Sequence, residues 1–457
     1  MDTTERSGMG TSKGYPKKRL NVNQKSVVAK KPWYLKGVVI IVAILIIALV
    51  AVFFLFGKGL LANFNSDSSS EKTSIFQLSL PSDGESFRLN GANEQTIMIR
   101  SHYIEEGTSA GLDGVTVTGF VDTEVAGDYV LTYELGREKL TRTVRVVDDR
   151  QMVMNLNGTQ ATMVRQGQPY VESGCNVICK TDGNLKTAVE VSGTVDTAVP
   201  GEYQVLYKAV NSQGVICAKK RTVSVVPDNE FVANTEGVPV LMYHYVYSEA
   251  DEPFDKADKN NWIKNSAFEE HLKHLTESNY YFPSYQELSA YVKGEIDLPE
   301  KSAVLTFDDG QEGFLKLGIP LLEQYKVPAT SFIVGVDSDA SEKISTYASE
   351  YVTFQSHSFD MHRAGGNVGH GGVISALREE EIVEDLLKAK EVVHNGEAFA
   401  YPFGDNTETA HQAVLKADIL CSFTTQYGKV QKGADCSHLP RVRVVGNLDV
   451  AGFRGSL

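Results

Sequence analysis

Outside its first stretch, this sequence has no surplus of positive charge. Residues 1–36 hold nine Lys or Arg against Asp2 and Glu5, so a chain of net charge −14 carries −21 on its remaining 421 residues. An acidic body of that kind excludes a nucleic-acid partner gripped through its phosphates. Cysteine is scarce as well. Cys175, Cys179, Cys217, Cys421 and Cys436 are the only five, an odd number, and the Cys175/Cys179 pair has neither a second such pair nor a nearby His to complete a structural zinc site. One of that pair bonded to Cys217, with Cys421 bonded to Cys436, is one expectation; buried free thiols are the other.

Val38 to Phe56 is an unbroken apolar run of 19 residues, enough to cross the ~30 Å hydrocarbon layer as a helix rising ~1.5 Å per residue. The rival reading is a signal peptide, whose apolar region is shorter and whose leading segment is briefer than the 36 residues found here. The basic tail predicts a cytoplasmic N-terminus and places everything after residue 57 outside the cell. That tail could also touch anionic lipid; its plainer role is to set topology.

At 457 residues the chain is too long for one ordinary core and predicts two to four domains. A polar, Ser-rich tether occupies 58–74. After it comes an internal repeat: GFVDTEVAGDYVLTY (Gly119–Tyr133) and GTVDTAVPGEYQVLY (Gly193–Tyr207), each followed by a Thr/Val run, RTVRVV (Arg142–Val147) and RTVSVV (Arg221–Val226). Alternation of this kind between Gly-containing turns predicts antiparallel strands with one buried face, in two small sandwiches over 75–148 and 149–227. The copies resemble the bacterial immunoglobulin-like modules of surface proteins. A spacer that holds the next domain off the membrane is the plain role for them, and glycan or wall binding the sharper one.

From Val238 the texture changes. VPVLMYHYV reads as a buried strand, Phe268, Leu272 and Leu275 recur at helical spacing, and FPSYQELSAYVKG repeats the helical pattern. Strands alternating with helices predict a parallel sheet covered on both faces, with its ligand site at the carboxyl ends of the strands. AVLTF ends in such a place, at Asp308-Asp309-Gly310. Adjacent carboxylates there could cap the following helix. They do not suit a glycosidase, whose two carboxylates face each other across a sugar ring. His357 and His362 in FQSHSFDMHR are five apart and converge only on a loop. Two solvent-facing histidines are one reading. The other is a two-His, one-carboxylate metal site completed by an Asp from another strand end.

TFDDG, the His-Ser with a second His, and FAYPFG (Phe399–Gly404) in that order resemble the polysaccharide deacetylases of carbohydrate esterase family 4, the NodB-homology domain. The likeness spans about 237–445. It implies a distorted (β/α) barrel, a metal that is usually zinc, and removal of acetyl from N-acetylglucosamine in a glycan. Carried over residue by residue, it makes Asp309, His357 and His362 the metal ligands, Asp308 the general base, and the Tyr401 backbone N–H the oxyanion donor; Pro402 is a turn residue. Three departures stand out. The His357–His362 spacing is one longer than the commoner form and resembles the poly-N-acetylglucosamine deacetylase branch. No Arg precedes FAYPFG to steady the catalytic Asp, and Arg441 in LPRVRV is the substitute by position, or else a surface ion-pair residue. The late Leu-x-x-His strand is missing, and VLMYH resembles it moved to the front, which makes His244 the general acid, or else a core histidine. His370, His394, His411 and His438 have no comparable context and read as surface residues.

The expectation is a multidomain protein: cytoplasmic tail 1–36, transmembrane helix 37–57, linker 58–74, two all-β immunoglobulin-like sandwiches, linker 228–236, and an α/β deacetylase barrel over 237–457. It acts outside the cell on a wall or surface glycan, peptidoglycan or poly-N-acetylglucosamine. A barrel without activity that serves as a glycan-binding scaffold, and an esterase for O-acetylated xylan, are the alternatives. A dead barrel is expected to lose one of Asp308, Asp309, His357 or His362, and all four are present.

Overall fold

The computed structural model describes residues 86–250, 260–446 and 448–457. The tail, the apolar run and the Ser-rich tether lie outside the described residues, and among the described residues no helix is long and apolar enough to cross a membrane.

The two sequence repeats form matching hairpins, Gly127–Leu135 with Glu138–Val147 and Gly201–Val210 with Val215–Val226. Val144, Val146, Val223 and Val225 are buried on one face, as the alternation requires. Beside each hairpin runs a short parallel strand, Glu94–Met98 in the first copy and Ala161–Arg165 in the second. Glu94–Met98 also pairs with Val215–Val226. The two copies are therefore joined through one shared eight-stranded sheet and do not stand as separate units. The second copy adds a further sheet of Met152–Leu156, Cys175–Cys179 and Gly183–Asn184, where the first has a single bridge from Leu89 to Thr108.

The repeat also carries a buried cation that its alignment hides. Arg142 and Arg221 are fully buried, and each guanidinium lies 5.7 Å from the ring of its hairpin partner, Tyr133 or Tyr207. Both tyrosine hydroxyls donate to a glutamate, Glu105 or Glu172. A buried Arg survives only when its donors are satisfied, and Arg221 satisfies its own on the carbonyls of Asn157, at 2.9 Å, and Thr159.

Seven parallel strands close the barrel: β1 Val240–Tyr243, β2 Val304–Phe307, β3 Ala329–Ile333, β4 Val352–Ser356, β5 Ala398–Ala400, β6 Cys421–Tyr427 and β7 Leu439–Arg443. β1 pairs with both β2 and β7, which makes the closure. Helices such as Asn265–Glu277, with Phe268, Leu272 and Leu275 buried, cover the outside. All five cysteines are free thiols, so neither expected disulfide forms.

The loop braced by Arg221 plugs into the amino-terminal rim of the barrel. Thr159 N–H donates to the Phe282 carbonyl at 2.9 Å, and Ser173 and Ser284 share a buried hydrogen bond of 2.8 Å. Glu397, just ahead of β5, receives Lys186 at 2.7 Å and Asn157 at 3.1 Å. Asn155 bonds both the Glu350 carbonyl and Thr353. Residues read as a linker are docked too, since Asn234 bonds the backbone of Leu298 and Glu300. The second copy is thus built into the base of the barrel rather than serving as a free spacer.

Gly158 sits at the tightest point, with φ +69° and room for a Cβ only 2.7 Å from the Ser284 nitrogen, whereas Gly167, at φ +81°, faces open space. Alanine at either site adds left-handed strain of roughly 1–3 kcal/mol. Only Gly158→Ala also forces the module off the barrel, so thermal unfolding of the two variants is expected to show the larger loss at 158; equal losses would mean the contact contributes nothing.

Candidate active site

The carboxyl ends of the barrel strands surround a cavity of about 310 Å³ lined by His244, Asp308, Asp309, His357, His362 and Arg443, among others. These groups arrive from four strand ends: His244 after β1, Asp308 and Asp309 after β2, His357 and His362 after β4, and Arg443 on β7. Sequence separation of up to 199 residues between them is closed by strand pairing alone.

Asp308 is almost fully buried and receives both forks of the Arg441 guanidinium, at 2.7 and 2.8 Å. Arg441, itself fully buried, also bonds the Thr424 carbonyl at 2.9 Å and Thr306 at 3.3 Å. Burial works to raise the Asp308 carboxyl, but the Arg441 charge and hydrogen bonds, with His357 and His244, outweigh it and hold the group below the usual carboxylate range. The side chain is an oriented carboxylate that favours its ionised form. His244 Nε2 lies 3.9 Å from Asp308 Oδ2; burial depresses its pKa against the pull of the two aspartates.

Asp309 turns the other way. Its Oδ1 stands 3.3 Å from Nε2 of His357 and 3.3 Å from Nε2 of His362. Five residues separate the histidines on an irregular loop, held there by Asp385, which accepts the N–H groups of Phe359 and Asp360 at 2.7 Å each. His357 Nδ1 lies 2.7 Å from the Ala400 carbonyl, so that nitrogen carries a proton, and in the neutral ring the Nε2 lone pair faces a carboxylate oxygen. Two facing acceptors repel unless a proton or a metal cation lies between them. The three ligand atoms lie within 4.8 Å of one another, and 3.3 Å matches the edge of a tetrahedron with metal–ligand bonds of about 2.1 Å. The donor set fits a divalent metal.

Three site loops each hold a non-glycine residue in the left-handed region: Asp309 (φ +71°), Ser358 (φ +79°) and Phe403 (φ +60°). Such strain is tolerated where packing over-determines the backbone. Next to Asp309, Gly310 has its α-carbon against Ile333, whose Cδ1 would be 2.4 Å from a Cβ.

Tyr401 requires a correction. Its backbone N–H is spent on the Phe423 carbonyl at 2.9 Å, as part of the β5–β6 pairing, and its hydroxyl on Ser437. It cannot double as the oxyanion donor. Tyr401 and Phe403 both line the cavity, and the Phe403 ring lies 4.6 Å from that of His362. Pro402 followed by a residue and Gly404 was the available signal for a backbone reversal at Phe403. Tyr245 and Asp385 have no local feature that distinguishes them from surface residues, while His370, read as a surface residue, is 70% exposed and lines the cavity.

Residues 295–421 match the family model described as polysaccharide deacetylase, and residues 154–225 match that of the bacterial surface protein Ig-like domain. The barrel carries the polysaccharide deacetylase match. Over 205 residues, 41% of this chain and 70% of the relative, the sequence is 24% identical to poly-beta-1,6-N-acetyl-D-glucosamine N-deacetylase of Staphylococcus aureus. The solved Streptococcus pyogenes deacetylase PplD, in complex with acetate, aligns with 48% of this chain and 97% of its own at 22% identity and a TM-score of 0.42. A polysaccharide deacetylase of Bacillus cereus aligns with 75% of this chain and 99% of its own at 18% identity and a TM-score of 0.39.

Arg441→Met keeps the bulk of the side chain and strands the Asp308 charge in the deacetylase core. Loss of one partner of a buried pair costs roughly 3–5 kcal/mol, and denaturant unfolding of the variant is expected to show a fall of that size. A stability within 1 kcal/mol of the parent, on the order of an exposed ion pair, would show that the pair does not hold the site together.

Proposed function

We propose that this chain is a membrane-anchored, extracellular, metal-dependent N-deacetylase of an N-acetylglucosamine glycan, peptidoglycan or poly-N-acetylglucosamine. The observation that carries this reading is the convergence of Asp309, His357 and His362 beside the Asp308–Arg441 pair in one cavity. The apolar run at 38–56 and the basic tail support the anchor and its orientation. The name of the Staphylococcus aureus relative supports the sugar.

Asp309, His357 and His362 would hold a divalent cation, most simply Zn²⁺, which when bound would supply Lewis acidity toward a water and the acetamide carbonyl. Asp308, kept ionised by Arg441, takes the proton from the attacking water. The Phe403 N–H, at the cavity wall, donates to the oxygen on which charge develops. His244, within 3.9 Å of Asp308, delivers a proton to the departing amine, so the C–N bond breaks to give acetate and a free amino sugar. Its depressed pKa leaves it neutral at rest, and the proton gathered by Asp308 is the nearest source for it.

The test is acetate release by the full chain from N-acetylglucosamine oligomers and from peptidoglycan, with and without a chelator. Release is expected to stop with chelator and with Asp308→Asn, and to fall about 10²–10⁴-fold in His244→Ala. Metal-loaded protein that releases nothing from either substrate would support the glycan-binding scaffold instead, and release only from acetylated xylan the esterase.

A further inference from the structure

The metal-ligand carboxylate has a second oxygen, and the chain provides a dedicated partner for it. Tyr245 donates its phenol O–H to Asp309 Oδ2 at 2.7 Å, while Oδ1 alone faces the two imidazoles at 3.3 Å. Neither the general base nor the general acid uses this hydroxyl.

Tyr245 is held from three sides. Its ring meets Trp262 edge-on with centroids 4.7 Å apart. Its backbone belongs to a two-stranded parallel ribbon, Tyr245–Tyr247 against Trp262–Lys264. The ribbon is pressed on the segment after β2: a Cβ on Gly313 would lie 2.1 Å from the Val246 carbonyl oxygen. Thus the donor and the Asp309 loop are fastened to each other independently of the bond they share.

An aspartate side chain turns freely about its last bond and can offer one oxygen or two. A hydrogen bond to Oδ2 selects the single orientation in which Oδ1 bisects the histidines and Oδ2 is already occupied. We propose that Tyr245 is the positioning residue that fixes Asp309 as a one-oxygen ligand and thereby sets the affinity of the site for its cation. The proposal rests on the metal-site reading of Asp309, His357 and His362. Outer partners of metal ligands typically account for 10–100-fold in affinity, and the same range is expected here.

The measurement is zinc affinity, not turnover. The full chain, stripped with chelator, is titrated with Zn²⁺ against a chromophoric competitor as parent, Tyr245→Phe and Tyr247→Phe. The expected result is a Kd raised 10–100-fold in Tyr245→Phe, no change in Tyr247→Phe, and an unchanged melting temperature for the metal-free Tyr245→Phe chain. Parent-like affinity in Tyr245→Phe overturns the proposal and leaves the metal site intact. Weakened affinity accompanied by a lowered metal-free melting temperature overturns it as well, because the hydroxyl would then be structural. A parent chain that takes up no zinc overturns the metal reading itself, and the proposal with it.

Discussion

The paired bonds between Arg441 and Asp308 are the constraint on which the active end of the molecule depends. Both groups are buried, and an ion pair taken out of water is held together only if nearly every donor and acceptor is used. Arg441 therefore reaches two further acceptors, on Thr424 and Thr306, and its guanidinium lies 5.9 Å from the Phe332 ring. The partners come from β7 and the end of β2, the two strands that flank β1 where the barrel closes. The Asp308 carboxylate is consequently oriented only when the barrel has closed, which ties the geometry of the site to completion of the fold.

Asp308 and Asp309 illustrate how one peptide bond can separate two chemistries. In an extended strand their side chains would point to opposite faces, one into the barrel and one away. The left-handed turn at Asp309, φ +71°, instead brings the second carboxylate round to the histidines while the first stays on Arg441. Charge then divides by neighbour: one carboxylate is neutralised by a guanidinium that never titrates in the working range, and the other is left for a cation. Had both faced Arg441, there would be no ligand. Had both faced the histidines, there would be no free base.

Much of this was legible before any coordinates. Alternation in the Thr/Val runs fixed the buried face of each hairpin, and the strand-then-carboxylates pattern of AVLTFDDG located the site at a strand end. What sequence could not show is whatever depends on three-dimensional partners. Arg142 and Arg221 fall in phase with the buried valines, where a charge reads as a break in the inward face, yet each is fully buried against a tyrosine of its own hairpin. Tyr401 sits in the motif and looks functional, but ladder pairing with β6 consumes its N–H. Asp385 lies in a run of acidic helix residues that resembles a solvated face, and only the fold reveals that it clamps the histidine loop.

The clamp explains how an extra residue between the histidines is accommodated. A loop lengthened by one must place its spare backbone somewhere without abandoning N–H groups in a partly buried rim. Here the two successive N–H groups of Phe359 and Asp360 both end on the Asp385 carboxylate, and Met361 N–H on the Ser358 hydroxyl. The bulge is thereby paired group by group, and the strained Ser358, φ +79°, redirects the chain so that His362 returns to the ion site. The longer spacing and the helix-borne carboxylate are two halves of one device: the acid on the helix satisfies the backbone that the insertion exposes, and burial, which raises the Asp385 pKa despite those two N–H donors, is the energetic cost of placing it there.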